Sequence, residues 1–301
     1  MELPETLAYP HKSTTVRIKN TNKQAAAFRL VGSALRGLER LSPALAAEVG
    51  FRIFFTPLGA RREPKPGEAE IARSSLPIEV RWQHGTLRGH RWGDIERPVL
   101  LVHGWGGYGL QMASFAAELA RRGRSVVTFD LPSHGKSGRG RTSLVHFARA
   151  IAAVARAFGP FDGLVAHSLG AGGAIMALAR EGLILERLAF LGPVAHFDTT
   201  SRRFIDETGI RPETFALLQR RAESWLGMRW NDVMPITQAR LQRTPLLIVH
   251  ARDDDELPVE HGEQLAAVWE NARLVKPSGL GHYRILRDPG VVETVANFLE
   301  G

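Results

Sequence analysis

The chain has 301 residues, of which 44% are apolar and 23% charged, with no cysteine and a formal net charge of +8. That length and balance suit a globular protein with one large core, and the missing cysteine excludes disulfides, thiolate metal sites and a cysteine nucleophile. No apolar run reaches the roughly 18 residues of a membrane span, and "MELPETLAYPHK" has neither a basic nor an apolar leader region, so we expect a cytoplasmic protein with no integral membrane association.

Along the chain, Ala27, Leu30, Val31, Ala34, Leu35, Leu38 and Leu41 recur at helical spacing, and Ser42 ahead of Pro43 reads as the cap of a second helix. Such a stripe is expected to pack on the main domain or on a second copy, which leaves a homodimer open. With Lys23, Arg29, Arg36 and Arg40 nearby, a helix lying on a membrane surface is the lesser alternative. The polar stretch "ARREPKPGEAE" at 60–70 reads as a linker. Residues 1–75 are therefore taken as a helical N-terminal extension and linker, and 76–301 as the main domain.

From residue 76 the pattern becomes strands alternating with helices. "IEVRWQHGTLRGHRW" reads as a hairpin, followed by strands near 98–102, 125–130, 162–166, 187–191, 245–250 and 272–276. Helices fit at about 111–122, 142–158, 169–181, 261–270 and 289–300. Strands such as "PLLIV" and "SVVTF" that are apolar without alternation suit a parallel sheet covered on both faces, so the fold class is an open, mostly parallel α/β sheet. About 50 residues separate the strand ending at Leu191 from the one starting at Pro245, so 194–243 is expected to be an inserted helical lid. Scattered arginine pairs at 61–62, 121–122, 202–203 and 220–221, with no nucleic-acid motif, argue against a nucleic-acid partner.

Two glycine clusters carry the chemistry. "VLLVHGWGGYGL" at 99–110 spells G-x-G-x-x-G, and Asp130 stands further on where a ribose ligand would be sought, so a nicotinamide-dependent oxidoreductase is one rival reading. "LVAHSLGAGGA" at 164–174 sets Ser168 between an apolar strand and a small-residue helix, the context of a nucleophile elbow. A serine needs a base, and the base an orienting acid. On such a sheet the acid precedes the histidine in sequence.

His282 is favoured as the base because "PSGLGHYRIL" places it on a glycine-bounded loop after the last strand. His261 is the rival, in the start of a helix close to the acid. His167 neighbours the serine, but neighbours in an elbow point apart, and His103 and His134 suit structural hydrogen bonds in turns. Among the adjacent Asp253, Asp254, Asp255 and Glu256 we choose Asp254, with Asp253 and Asp255 left open. A metal site in this cluster lacks a second group of oxygen ligands, so neither metal nor cofactor is expected.

The chain resembles the α/β-hydrolase superfamily, in particular its lid-bearing serine esterase and lipase-like branch, over about residues 76–300. The matching segments are "HGWGG" at 103–107, "DLPSHGKSG" at 130–138, "AHSLGAGG" at 166–173, "HARDDDELP" at 250–258 and "GLGHYRIL" at 279–286. The resemblance implies Ser168 as nucleophile, Asp254 as acid and His282 as base. It implies the amides of Trp105 and Leu169 as the oxyanion hole. Two departures stand out: Ala166 replaces the more usual first glycine of the elbow, and Ser133 replaces the first glycine of D-x-x-G-x-G-x-S.

The expected activity is that of a serine hydrolase, a carboxylesterase cleaving a small-molecule ester with a hydrophobic part through an acyl-enzyme. Thioester, lactone and amide substrates are alternatives on the same triad, and a non-catalytic ligand-binding protein on this fold is the rival from another class. In the lid, Phe197, Phe204, Phe215, Trp225, Met228 and Trp230 are expected to supply an apolar substrate pocket, against the alternative that they pack the lid onto the body.

Overall fold

A computed structural model describes residues 22–57, 63–94 and 96–301. Its first elements are helices α1 (Asn22–Leu41), α2 (Pro43–Phe54) and α3 (Pro66–Ala72), then the antiparallel hairpin of β1 (Leu76–Trp82) and β2 (Gly85–Trp92). There follow β3 (Val99–Val102), α4 (Ala113–Arg121), β4 (Val126–Phe129), α5 (Leu144–Phe158), β5 (Gly163–His167), α6 (Leu169–Arg180) and β6 (Arg187–Leu191). Helices α7 (Asp198–Thr208), α8 (Pro212–Leu226) and α9 (Pro235–Ala239) precede β7 (Leu246–Val249). The chain closes with α10 (Glu260–Val268), β8 (Ala272–Val275), the single turn α11 (Gly281–Arg284) and α12 (Pro289–Glu300).

The eight strands form one sheet in the order β1-β2-β4-β3-β5-β6-β7-β8, parallel from β4 onward. The reason both faces are covered is visible residue by residue. Leu100, Val102, Leu164, Ala166, Phe190 and Ile248 enter one core with Phe147 and Ile151 of α5, Ile175 of α6 and Leu265 of α10. Their neighbours Val99, Leu101, Val165, Leu191 and Val249 enter another with Phe115 of α4 and Val295 of α12. Successive strand residues point to opposite faces, so an apolar run without alternation requires a helix layer on each side.

A third core lies away from the sheet. Leu35 of α1 and Phe51 and Phe55 at α2 pack with Phe204 of α7 and Phe215 and Leu218 of α8. Ser42 caps α2 as its sequence suggests, accepting a hydrogen bond from the Leu45 amide at 3.3 Å. Residues 22–57 thus share a core with helices that the chain inserts between β6 and β7.

One expectation is overturned in the stretch at 60–70, read as a linker. Of it, 60–62 lie outside the described residues, while Pro66–Ala72 is helix α3. Pro66 and Gly67 look like breakers in a sequence, but proline at the first helical position is compatible with a helix because the amide it lacks has no partner there. Glu68 is buried, and its carboxylate accepts from the Lys65 amide at 2.8 Å and the Tyr108 hydroxyl at 2.6 Å, which ties α3 to the body. Among the described residues no helix is long and apolar enough to cross a membrane.

Candidate active site

Ser168 sits at the turn from β5 to α6 with φ 53° and ψ −123°, a backbone region that a residue with a β-carbon rarely adopts. The turn is held by the Ser168 amide donating to the Leu191 carbonyl at the end of β6, 2.9 Å away. Close packing explains the small residues around it: a methyl group at Gly170 would stand 2.2 Å from the His103 carbonyl oxygen. One at Gly104 would stand 2.8 Å from the Ser168 Cβ. The loop after β3 therefore lies directly against the serine.

Two neutral histidines fix that loop. The Leu131 amide donates to His103 Nε2 at 2.9 Å, so Nδ1 carries the proton and donates to the Gly104 carbonyl at 2.7 Å. By the same logic His134 accepts from the Gly106 amide at 2.9 Å and donates through Nδ1 to the Pro132 carbonyl at 3.0 Å. Burial pushes the His103 imidazole down to about 4 and that of His134 to about 3, so both are uncharged near neutrality. The Gly107 amide bonds the Gly104 carbonyl, and the Gly109 amide bonds Asp130 Oδ1 at 2.7 Å. Among the described residues the Trp105 amide has no acceptor, nor does that of Leu169 at the first turn of α6, where helix amides are unpaired by construction.

This arrangement answers the dinucleotide reading. Asp130 sets a carboxylate on the amide of the third glycine, where a pyrophosphate would bring like charge. Its other oxygen accepts from the Lys136 amide at 2.7 Å, so the acid braces the following turn. In that turn Ser133 takes φ 67°, the left-handed conformation of the glycine it replaces.

Asp254 and His282 meet over the carboxyl ends of β7 and β8, with Oδ2 accepting from Nδ1 at 2.7 Å. The Glu256 and Leu257 amides hold the other oxygen, Oδ1, at 3.0 and 2.9 Å. Burial alone would raise the Asp254 carboxyl. The hydrogen bonds from His250 and His282, the attraction of His282 and the Leu257 amide outweigh it and hold the acid well below the usual carboxylate range.

Of the other acids considered, Asp253 turns away and its Oδ1 accepts from the Gly279 and Leu280 amides at 2.8 and 3.2 Å, which braces the loop that carries His282. Asp255 is exposed. Ser168, Asp254 and His282 are 9%, 9% and 4% exposed, so the cluster lies beneath the surface.

The rival base His261 is already engaged, accepting from the Ala195 amide and facing the Thr199 hydroxyl, each at 3.1 Å, with its ring stacked on His196. Three contributors escaped sequence reasoning. His250, which ends β7, directs Nε2 to the Leu257 carbonyl at 2.9 Å and to Asp254 Oδ2 at 3.4 Å. His167 donates from Nε2 to the His282 carbonyl at 3.0 Å. Gly192, at φ 50°, leaves room for the Asp254 and His282 side chains, since a methyl group there would lie 3.3 Å from both. A glycine directly after a strand was the available signal for the last.

The residues expected to line a pocket divide. Phe204 and Phe215 are buried in the core shared with α1 and α2, and Trp225 and Trp230 pack against that core. Trp225 lies edge-on to Phe51 and stacks on His146. These four serve as packing in this structure, because the apolar face of α8 meets α2. Phe197 and Met228 pack instead against the core that contains Ala166 and Ala195. The Trp105 ring lies edge-on to His134 at 5.5 Å and near Phe147. A cavity of about 740 Å³ runs along β1 and α5, lined by Trp82 and Arg149, away from Ser168.

A mostly parallel sheet with a strained serine after its central strand and an Asp–His pair at the ends of later strands defines the α/β-hydrolase fold class. Residues 99–295 match the model of the alpha/beta hydrolase family, and the chain belongs to that family. No curated protein sequence matches it. Among solved structures it is similar to an esterase from Pyrococcus furiosus (TM-score 0.60, 19% identity, covering 80% of this chain and 95% of that one). It is also similar to an esterase from Rhodococcus sp. (TM-score 0.57, 19% identity, 76% and 99%) and to a thioesterase domain from the curacin biosynthetic pathway (TM-score 0.57, 20% identity, 75% and 99%).

Proposed function

We propose that this protein is a serine hydrolase that cleaves carboxylic esters with a hydrophobic part through an acyl-enzyme. The observation that carries the reading is the 2.7 Å Asp254–His282 pair, fastened through the His282 carbonyl to His167, the residue before a serine held at positive φ. His282 takes the proton from Ser168 as the hydroxyl attacks the ester carbonyl. Asp254 holds the imidazole in the tautomer with Nδ1 protonated and stabilises the imidazolium that forms.

The developing alkoxide is held by the Trp105 and Leu169 amides, donors without another acceptor and fixed in advance by His103, His134 and the α6 terminus. His282 then protonates the leaving alcohol and activates the water that releases the acid. Phe197, Met228 and the Trp105 ring are the apolar groups left for the substrate, while the buried cluster calls for the helices between β6 and β7 to shift and admit it. The esterase neighbours favour an oxygen ester, and the curacin thioesterase domain makes a thioester the second reading.

Labelling with a fluorophosphonate tests the reading. One adduct per chain on Ser168, absent in Ser168→Ala, supports it, and a p-nitrophenyl ester series from acetate to laurate, run beside acyl thioesters, fixes bond type and chain length. An unlabelled native chain that turns over none of these substrates overturns it.

A further inference from the structure

Helix α1 carries two parallel stripes, one residue out of phase, on the side turned away from the third core. Leu30, Ala34, Gly37 and Leu41 form one, and Arg29, Ser33, Arg36 and Arg40 form the other, each at i, i+4, i+7, i+11. All eight residues are exposed, while Leu35 and Glu39 on the opposite side are buried. Leu30 and Leu41 are 74% and 84% exposed, and Leu45 at the start of α2 extends the apolar stripe around the corner.

The charge on this face is of one sign. Glu39, the one acid of α1, points inward, accepting from the Arg211 amide at 2.8 Å and pairing with the Arg211 guanidinium at 3.4 Å. Among the described residues neither Arg29 nor Arg40 has a carboxylate partner. At the edge of the stripe Arg36, Arg40 and Arg211 line a cavity of about 480 Å³ together with Pro43 and the Glu39 side chain, three cations against one acid.

From this juxtaposition of an exposed leucine stripe with an unneutralised arginine stripe, we propose that the α1–α2 corner docks on an anionic lipid surface. The leucines enter the boundary between headgroups and acyl chains, and Arg29 and Arg40 meet lipid phosphates, while Arg36 donates to the Thr208 carbonyl at 2.7 Å and so ties α1 to α7. A second copy of this chain is the poorer occupant, because a symmetric contact would bring the arginine stripe against itself in a chain already at +8. Since α1 and α2 share a core with α7 and α8, docking is mechanically joined to the helices inserted between β6 and β7. The proposal does not depend on the catalytic assignment.

Sedimentation of the full chain with phosphatidylcholine vesicles, with and without phosphatidylglycerol, tests it. Binding is expected only to the anionic vesicles, and it should weaken as salt is raised. The double variant R29Q/R40Q should bind about 25-fold more weakly, about fivefold for each cation removed from an anionic surface. L30S/L41S should lose roughly tenfold for each leucine. All four positions are exposed, so both variants should keep the native melting temperature and, if the chain is an esterase, native turnover of a soluble ester. The proposal is overturned by no vesicle binding, by equal binding to neutral vesicles, by binding that neither variant alters, or by a dimer in solution that L30S/L41S dissolves without any vesicle binding.

Discussion

His167 and His282 are joined by a 3.0 Å hydrogen bond between the Nε2–H of the first and the backbone carbonyl of the second, 115 positions later. The bond fastens the loop carrying His282 to the strand that leads into Ser168, and the two rings lie 4.6 Å apart. Because a carbonyl only accepts, Nε2 must hold the proton. Burial and the neighbouring His282 ring keep His167 neutral.

His167→Phe keeps a ring of similar size and orphans the carbonyl. A loss of about 1–3 kcal/mol in stability is expected for an unpaired buried acceptor. A fall in kcat of about tenfold with KM nearly unchanged should accompany it, since a small misplacement of the base costs rate rather than affinity. His167→Gln, which retains a donor, should recover part of the rate. Full kcat in the phenylalanine variant would show that the bond does not position His282.

Gly104→Ala probes the contact between the loop after β3, proposed to hold the oxyanion, and Ser168. The added methyl would stand 2.8 Å from the Ser168 Cβ and 3.2 Å from His167 Nδ1, so one of the two backbones must move. Fluorophosphonate labelling should slow by about 100-fold, the order of loss for a misplaced reacting group, while circular dichroism stays native. An unchanged labelling rate would mean that the loop shifts freely and that its amide is not aimed at the reacting centre.

The central sheet was legible because strands such as β3 and β7 are uninterrupted apolar runs between turn residues, buried along their whole length, as a sheet covered on both faces requires. Ser168 was legible for a related reason, as small residues on both sides of a serine at a strand's end report close crossing of strand and helix. The choice among Asp253, Asp254 and Asp255 was not legible in the cluster alone. It depends on the Glu256 and Leu257 amides taking one oxygen of Asp254 and so turning the other toward His282. Nor did sequence show which neighbour the insertion would meet, because an apolar stripe has the same pattern whether it lines a pocket or packs a helix. The partners of Phe204 and Phe215 turned out to be Phe51, Phe54 and Phe55, about 150 positions earlier in the chain.

Phe51 allows that shared core to be tested. It is fully buried, lies 5.2 Å from Phe55 and 5.4 Å from Trp225, and has the Arg221 guanidinium 4.6 Å from its ring centre. Phe51→Ala should cost about 3–5 kcal/mol, as large-to-small changes at buried aromatics do. If residues 22–57 fold as one unit with the body, a single calorimetric transition moves down by about 10 °C. A separate early transition, with the main one unmoved, would mark the N-terminal helices as an independent appendage.

Acidification should unfold the protein through its histidines. His103, His134 and His261 are buried and neutral, with imidazoles pushed down, chiefly by burial, to about 4, 3 and 3. In the unfolded chain each takes a proton near pH 6.5. Between pH 6.5 and about 4 the unfolded state therefore binds more protons than the folded one, and stability falls as pH falls. Each such histidine contributes about 1.4 kcal/mol per pH unit, so these three remove about 4 kcal/mol per unit, and His167 and His146, lowered in the same direction, add to that, against a total stability of order 5–15 kcal/mol.

The contribution is fully present above pH 6.5, and midpoint unfolding is expected between about pH 4 and 6. That precedes the protonation of Asp254, which its hydrogen-bond partners hold below the usual carboxylate range. Urea titrations at half-unit intervals from pH 7.5 downward measure the slope. His261→Gln, which can still bond the Ala195 amide and the Thr199 hydroxyl but cannot titrate, should reduce it by about 1.4 kcal/mol per pH unit. A stability flat down to pH 4.5 would show that these imidazoles take up protons without unfolding, contrary to the neutral tautomers that pin the loop beside Ser168.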